Sequence, residues 1–98
     1  MKNFDELIQS SKPVLVDFYA EWCMPCKMML PILLEVEEDM KDKAQFLKVD
    51  VDKEKELAKR FRILSVPTLI IFKNGEQLWR QSGVMQKKAL THLLKEYL

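Results

Sequence analysis

Trp22-Cys23-Met24-Pro25-Cys26 contains both cysteines of the chain and lies where an apolar, β-rich run hands over to a long helical pattern. Two cysteines separated by two residues close a small disulfide. If the pair begins a helix, the first cysteine faces unpaired backbone N–H groups that favour its thiolate. A free thiol titrates near about pH 8.5, so this placement ionises a useful fraction at neutral pH, and the thiolate is the form that attacks disulfides. The first chemical reading is therefore thiol–disulfide exchange. A C-x-x-C is also half of a zinc site, but tetrahedral zinc needs two further ligands and only His92 remains to offer one. The metal reading then requires two chains sharing a metal or an iron–sulfur cluster through four cysteines.

On the N-terminal side, Val14-Leu15-Val16-Asp17-Phe18-Tyr19 is nearly continuous in apolar, β-favouring residues, the pattern of a central strand covered on both faces. Asp17 interrupts it. A carboxylate buried there is costly to ionise, so its pKa should rise, which suits a group that takes and returns protons near neutrality. On the C-terminal side, Lys27 to Met40 has the apolar spacing of a long helix, which Pro31 should bend after its first turn. Of the methionines at 24, 28 and 29, Met24, beside the first cysteine, is expected on the surface and the other two in the core.

The remaining chain reads as further strand and helix units. Asn3 and Glu6 have the spacing of a capping box for a short first helix. Gln45 to Asp50 reads as a strand, and Asp52 is the expected N-cap of a helix from about Lys53 to Phe61. Leu69 to Phe72 is a second strongly apolar strand, preceded by Val66-Pro67. Asn74-Gly75 then signals a two-residue hairpin that returns Glu76 to Gln81 antiparallel, with Gly83 placed for a bulge or a close backbone approach. A last helix spans about Gln86 to Tyr97, with Leu90, Leu93, Leu94 and Tyr97 on one face and His92 opposite, without a role.

With 98 residues the chain is read as one domain, 1–98, with room for one core. Apolar residues make up 48%, and charged residues, 32% of the chain, balance to a net +1, which argues against disorder and against a nucleic-acid field. No run reaches the roughly 20 apolar residues of a membrane span, and the first residues turn acidic where a secretory signal turns apolar. The expectation is a cytoplasmic monomer without nucleic-acid or membrane partners. In a reducing cytosol a structural disulfide adds little, which leaves catalysis, redox sensing or metal binding for the cysteines.

The order helix, strand, helix, strand, helix, strand, strand, helix, with C-x-x-C after the first strand, resembles the thioredoxin family. The likeness covers almost the whole chain. It rests on Val14 to Cys23, Pro25-Cys26-Lys27, Pro31, Lys48-Val49-Asp50-Val51-Asp52, Val66-Pro67-Thr68, Phe72-Lys73-Asn74-Gly75 and Gly83. It implies an α/β thioredoxin fold with a mixed central sheet flanked by helices. Because only three residues precede Phe4, the family's extra N-terminal edge strand is expected to be missing, which leaves about four strands and an open edge at 45–50.

The resemblance further implies that Cys23 attacks, Cys26 resolves, Asp17 is the buried carboxylate behind Cys26 and Lys48 is its charged neighbour. Pro67 would be a cis proline, and Trp22, Met24, Val66, Pro67 and Gly83 the docking rim. Such a protein is a protein-disulfide reductase with no bound cofactor and no metal. Its redox group is the Cys23–Cys26 disulfide, its clients are proteins with disulfides, and an NADPH-dependent flavoprotein thioredoxin reductase recharges it. Met24 stands where the family usually has glycine, which bears on redox poise. The rival readings are a non-catalytic thioredoxin-fold interaction module and the metal-bridged dimer.

Overall fold

The run Val14–Tyr19 forms β1, an inner strand of the sheet in the computed structural model, which describes residues 1–98. Around it lie α1 (Phe4–Leu7), α2 (Met24–Met40), β2 (Gln45–Asp50), α3 (Lys55–Arg60), β3 (Thr68–Lys73), β4 (Glu76–Ser82) and α4 (Lys87–Lys95). The four strands run in the order β2-β1-β3-β4. The β1–β2 pair is parallel and the other two pairs are antiparallel. β2 is an edge of this sheet, as expected for 45–50.

Alternation along β1 assigns the two faces. Val14, Val16 and Phe18 join Ile70 and Phe72 beneath α1 and α3, where Phe4, Ile8, Leu57 and Phe61 cover them. Leu15 joins Leu69 and Ile71 against Met29, Leu33 and Val36 of α2 and Leu90 and Leu94 of α4. Asp17 shares the parity of Leu15, so its carboxylate is directed to the α2 side, behind the cysteines. Each large apolar side chain buried in these layers contributes about 1.5–3 kcal/mol relative to exposure, enough to hold one carboxylate where sequence alternation puts it.

The expected caps form at neither short helix, displaced by tertiary packing at α1 and by a competing local turn at α3. Asn3 makes no side-chain cap bond to α1, so the expected Asn3–Glu6 box is not formed. A one-turn helix has little stability of its own. Instead, Phe4 packs its ring 5.6 Å from Phe61 and 5.8 Å from Phe72, and Asp5 pairs with Arg60 at 2.8 Å. At α3 the N-cap is Glu54, not Asp52, and the helix starts later than expected. The competitor is Asp50, whose Oδ1 accepts from the N–H of Asp52 at 2.9 Å and of Lys53 at 3.3 Å, closing a turn that delays the helix.

Asn74 (φ 53°) and Gly75 (φ 83°) both occupy the left-handed region, as a type I′ hairpin requires. The sheet irregularity lies between Ile71 and Phe72, not at Gly83. Gly83 instead carries φ +99°, and a Cβ there would meet nothing within 4 Å, so glycine serves the backbone angle and not a tight space. Met28 is 62% exposed beside Met24 at 66%, so it lies outside the core, where only Met29 of the three is buried. Pro31 stands inside α2, which continues through it to Met40.

Candidate active site

Helix α2 begins at the cysteines because Cys23 ends the extended segment after β1, and its sulfur takes the place of the oxygen of an ordinary cap. Cys23 is the N-cap (φ −89°, ψ 113°), and the Cys26 N–H donates to its Sγ at 3.1 Å. Pro25 falls in the first turn, where its missing N–H leaves no bond unmade. Cys23 and Cys26 are joined in a disulfide across a Cα–Cα distance of 5.2 Å. Both sulfurs are occupied by that bond, so in this form neither is free to ligate a metal. Both cysteines are buried, so reactivity here is decided by the backbone donors and the neighbouring loop more than by open exposure.

That loop is Ser65-Val66-Pro67. The Val66–Pro67 bond is cis, Pro67 is buried, and the Val66 carbonyl oxygen lies 3.6 Å from Cys23 Sγ. In the disulfide this is a close contact; once reduced, the Cys23 thiol has a proton to donate there. The Gly83 N–H donates to the Pro67 carbonyl at 2.9 Å, which joins the end of β4 to the loop. Trp22 is 69% exposed, with its indole N–H donating to Asp52 Oδ2 at 2.8 Å. Val66 thus meets the disulfide at Cys23 Sγ, Gly83 is tied to the adjoining Pro67, Trp22 directly precedes Cys23 in the chain, and Met24 is exposed on the first turn of α2.

Behind the disulfide, Asp17 and Cys26 line one cavity of about 300 Å³, whose wall also includes Tyr19, Leu30 and Lys48. Asp17 is almost wholly buried and its Oδ1 has no hydrogen-bond partner. Desolvation pushes its pKa up from 3.8 to about 6, against the opposing pull of the Lys48 ammonium. Lys48 faces Asp17 in the β1–β2 register, yet makes no ion pair with it. Its ammonium lies 4.3 Å over the Tyr19 ring, a cation–π contact that leaves the carboxylate unbonded and able to exchange a proton.

Two parts of this site escape a reading of the sequence. Leu64 is 94% exposed and, with Trp22, Ile63 and Val66, lines a cleft of about 200 Å³ beside the cis-proline loop. The available signal was the apolar pair Ile63-Leu64 just ahead of Ser65-Val66-Pro67, of which Leu64 is left outside the core. Asp52 serves Trp22 and not a helix terminus, and no local pattern announces a partner on another loop.

A family model described as Thioredoxin matches residues 1–96. The chain belongs to the thioredoxin family. It is 47% identical over 96 residues to a thioredoxin of Staphylococcus haemolyticus, spanning 98% of this chain and 91% of that one. Against a thioredoxin of Rickettsia bellii the identity is 44% over 90 residues, spanning 91% of this chain and 86% of the relative. Against Thioredoxin Y, chloroplastic, of Oryza sativa subsp. japonica it is 47% over 97 residues, 98% of this chain but only 58% of that protein's length. A solved structure, that of a mutant thioredoxin from Halobacterium salinarum, superposes with a TM-score of 0.90 at 35% identity, covering 99% of this chain and 84% of the other. The four-stranded mixed sheet with helices on both faces is accordingly a thioredoxin fold. Family membership together with the closed C-x-x-C pair supports thiol–disulfide oxidoreductase activity.

Proposed function

We propose that this thioredoxin-family protein reduces disulfides of client proteins through a Cys23/Cys26 dithiol–disulfide cycle. The observation that carries the reading is the Cys23–Cys26 disulfide at the first turn of α2, where the Cys26 N–H donates to Cys23 Sγ. In the reduced protein the same donor favours a Cys23 thiolate. That thiolate attacks one sulfur of a client disulfide, forms a mixed disulfide and expels the other client sulfur as a thiolate. Cys26 then passes its proton to Asp17, directly or through a water, attacks Cys23 Sγ and expels the second client sulfur as a thiolate, which takes up a proton from Asp17 or solvent. The client gains two electrons and the protein is left with the disulfide.

No bound cofactor enters this cycle; the redox group is the cysteine pair itself. Recharging falls to a two-electron donor, for which an NADPH-dependent flavoprotein thioredoxin reductase is the candidate on family grounds. A reducing compartment such as the cytoplasm suits a cycle that must start from the dithiol. The docking rim is Trp22, Met24, Val66, Pro67 and Gly83, with Leu64 added beside Trp22. Reduction of insulin with dithiothreitol as electron source tests the reading: the protein is expected to accelerate it, and the absence of acceleration would overturn it.

Two residues of the rim carry separate expectations. Leu64→Ser removes an almost fully exposed side chain, so stability should stay within about 0.5 kcal/mol of wild type while KM for insulin rises about fivefold. Equal KM values would remove Leu64 from the rim. Met24→Gly loosens the first turn of α2 and strips an apolar side chain from beside Cys23. The reduction potential is expected to fall by about 30 mV, equivalent to roughly 1.4 kcal/mol for two electrons. Equilibration with glutathione buffers measures it, and an unchanged potential would leave Met24 as contact surface alone.

A further inference from the structure

We propose that Ser82 is a positioning residue for disulfide exchange: acting through Thr68, its hydroxyl holds the Ser65–Pro67 loop so that the backbone of Val66 is presented to the client. This rests on the function proposed above and assigns part of its precision to the end of β4.

Thr68 is buried, and its Oγ1 lies 2.7 Å from the Ser65 carbonyl oxygen and 2.8 Å from Ser82 Oγ. A carbonyl only accepts, so the single hydroxyl proton of Thr68 goes to Ser65. The Ser82 hydroxyl must then donate to Thr68. Ser82 and Thr68 stand directly opposite in the antiparallel β3–β4 register, the arrangement in which such a pair meets. The result is a one-way relay, Ser82 to Thr68 to Ser65, that fixes one side of the loop.

The other side is fixed by the next residue of the chain, since the Gly83 N–H donates to the Pro67 carbonyl at 2.9 Å. Val66 lies between the two ties. Its own N–H and C=O make no backbone hydrogen bond within the protein, while its carbonyl oxygen stands 3.6 Å from Cys23 Sγ. An extended client chain can pair with that unengaged backbone as its sulfur meets Cys23. Loss of the Ser82 donor leaves the Thr68 hydroxyl bonded to Ser65 but less constrained, so the tie on that side of the loop slackens and presentation weakens without touching a sulfur.

The test compares wild type, Ser82→Ala, Ser82→Thr and Thr68→Val on two probes, insulin and 5,5′-dithiobis(2-nitrobenzoic acid), a small disulfide with no peptide backbone to pair with Val66. Ser82 is exposed, so its variants leave the core intact. Ser82→Ala is expected to raise KM for insulin about fourfold with kcat within about twofold, the scale of one weakened hydrogen bond, and to affect the small disulfide less. Thr68→Val, which removes both bonds, should raise it further, and Ser82→Thr, which keeps a hydroxyl, should restore it. Parallel loss on both probes, or wild-type KM in Ser82→Ala, would overturn the role of Ser82. Wild-type protein unable to reduce insulin at all would instead overturn the function on which it rests.

Discussion

Cys26→Ser is expected to yield a protein that captures client and fails to release it, whereas Cys23→Ser should lower turnover by roughly a thousandfold or more. The asymmetry follows from position. Cys23 caps α2 and receives the Cys26 N–H, so its sulfur is stabilised as thiolate, while Cys26 lies one turn inside and lines the cavity shared with Asp17. Without Cys26 the first attack proceeds and the mixed disulfide persists; without Cys23 nothing begins. Non-reducing electrophoresis after incubation with insulin reads the trapped adduct. Neither cysteine is open to solvent in the disulfide form, so the order of alkylation in the reduced protein is an independent check of the roles. Iodoacetamide that labelled Cys26 ahead of Cys23 near neutral pH would reverse them.

Asp17→Asn carries the second large effect, and it has a kinetic and a thermodynamic part. With its pKa raised to about 6, Asp17 is mostly ionised at pH 7 and ready to accept the Cys26 proton, so the variant should slow mixed-disulfide resolution by about a hundredfold and initial attack far less. The same raised pKa costs stability. The unfolded chain releases this proton near 3.8 and the folded one near 6, so between those values the native state binds more protons and stability falls as pH rises. Stability from this group is fully present below the unfolded value and lost as pH passes the folded one. Above that, wild type bears a desolvated charge worth about 3 kcal/mol, which asparagine does not carry. The oxidised variant is therefore expected to match wild type at about pH 3, below the unfolded value, and to exceed it by up to about 3 kcal/mol at about pH 7.5. Denaturant titration at both values measures the difference. A constant difference, with an unaltered rate of resolution, would show Asp17 solvated and outside the proton path.

The features legible in the chain are those whose physics is local. Thiol exchange could be read from C-x-x-C because two residues between cysteines allow ring closure and a shared helix start. The burial of Asp17 follows from an apolar strand that lacks alternation, and the hairpin from Asn74-Gly75, whose residues tolerate the positive φ both adopt. Helix ends were legible only where nothing competed. Asp52 has the right type and spacing for a cap, but Asp50 takes the turn, and the indole of Trp22, from another loop, takes the Asp52 carboxylate.

The remaining features depend on which distant segments meet. Met28 and Met29 are adjacent and chemically identical, and only packing against the sheet decides that one is exposed and the other buried. Lys48 could be read as a neighbour of Asp17, yet the fold draws its ammonium onto Tyr19 and leaves the acid unbonded, which no spacing rule anticipates. Ser82 is one polar residue among several on an edge strand until the β3–β4 register sets it opposite Thr68 and through it the loop facing Cys23. Local propensity and spacing chose the reactive groups; long-range register and burial decided their partners, because those free energies exist only once both surfaces are assembled.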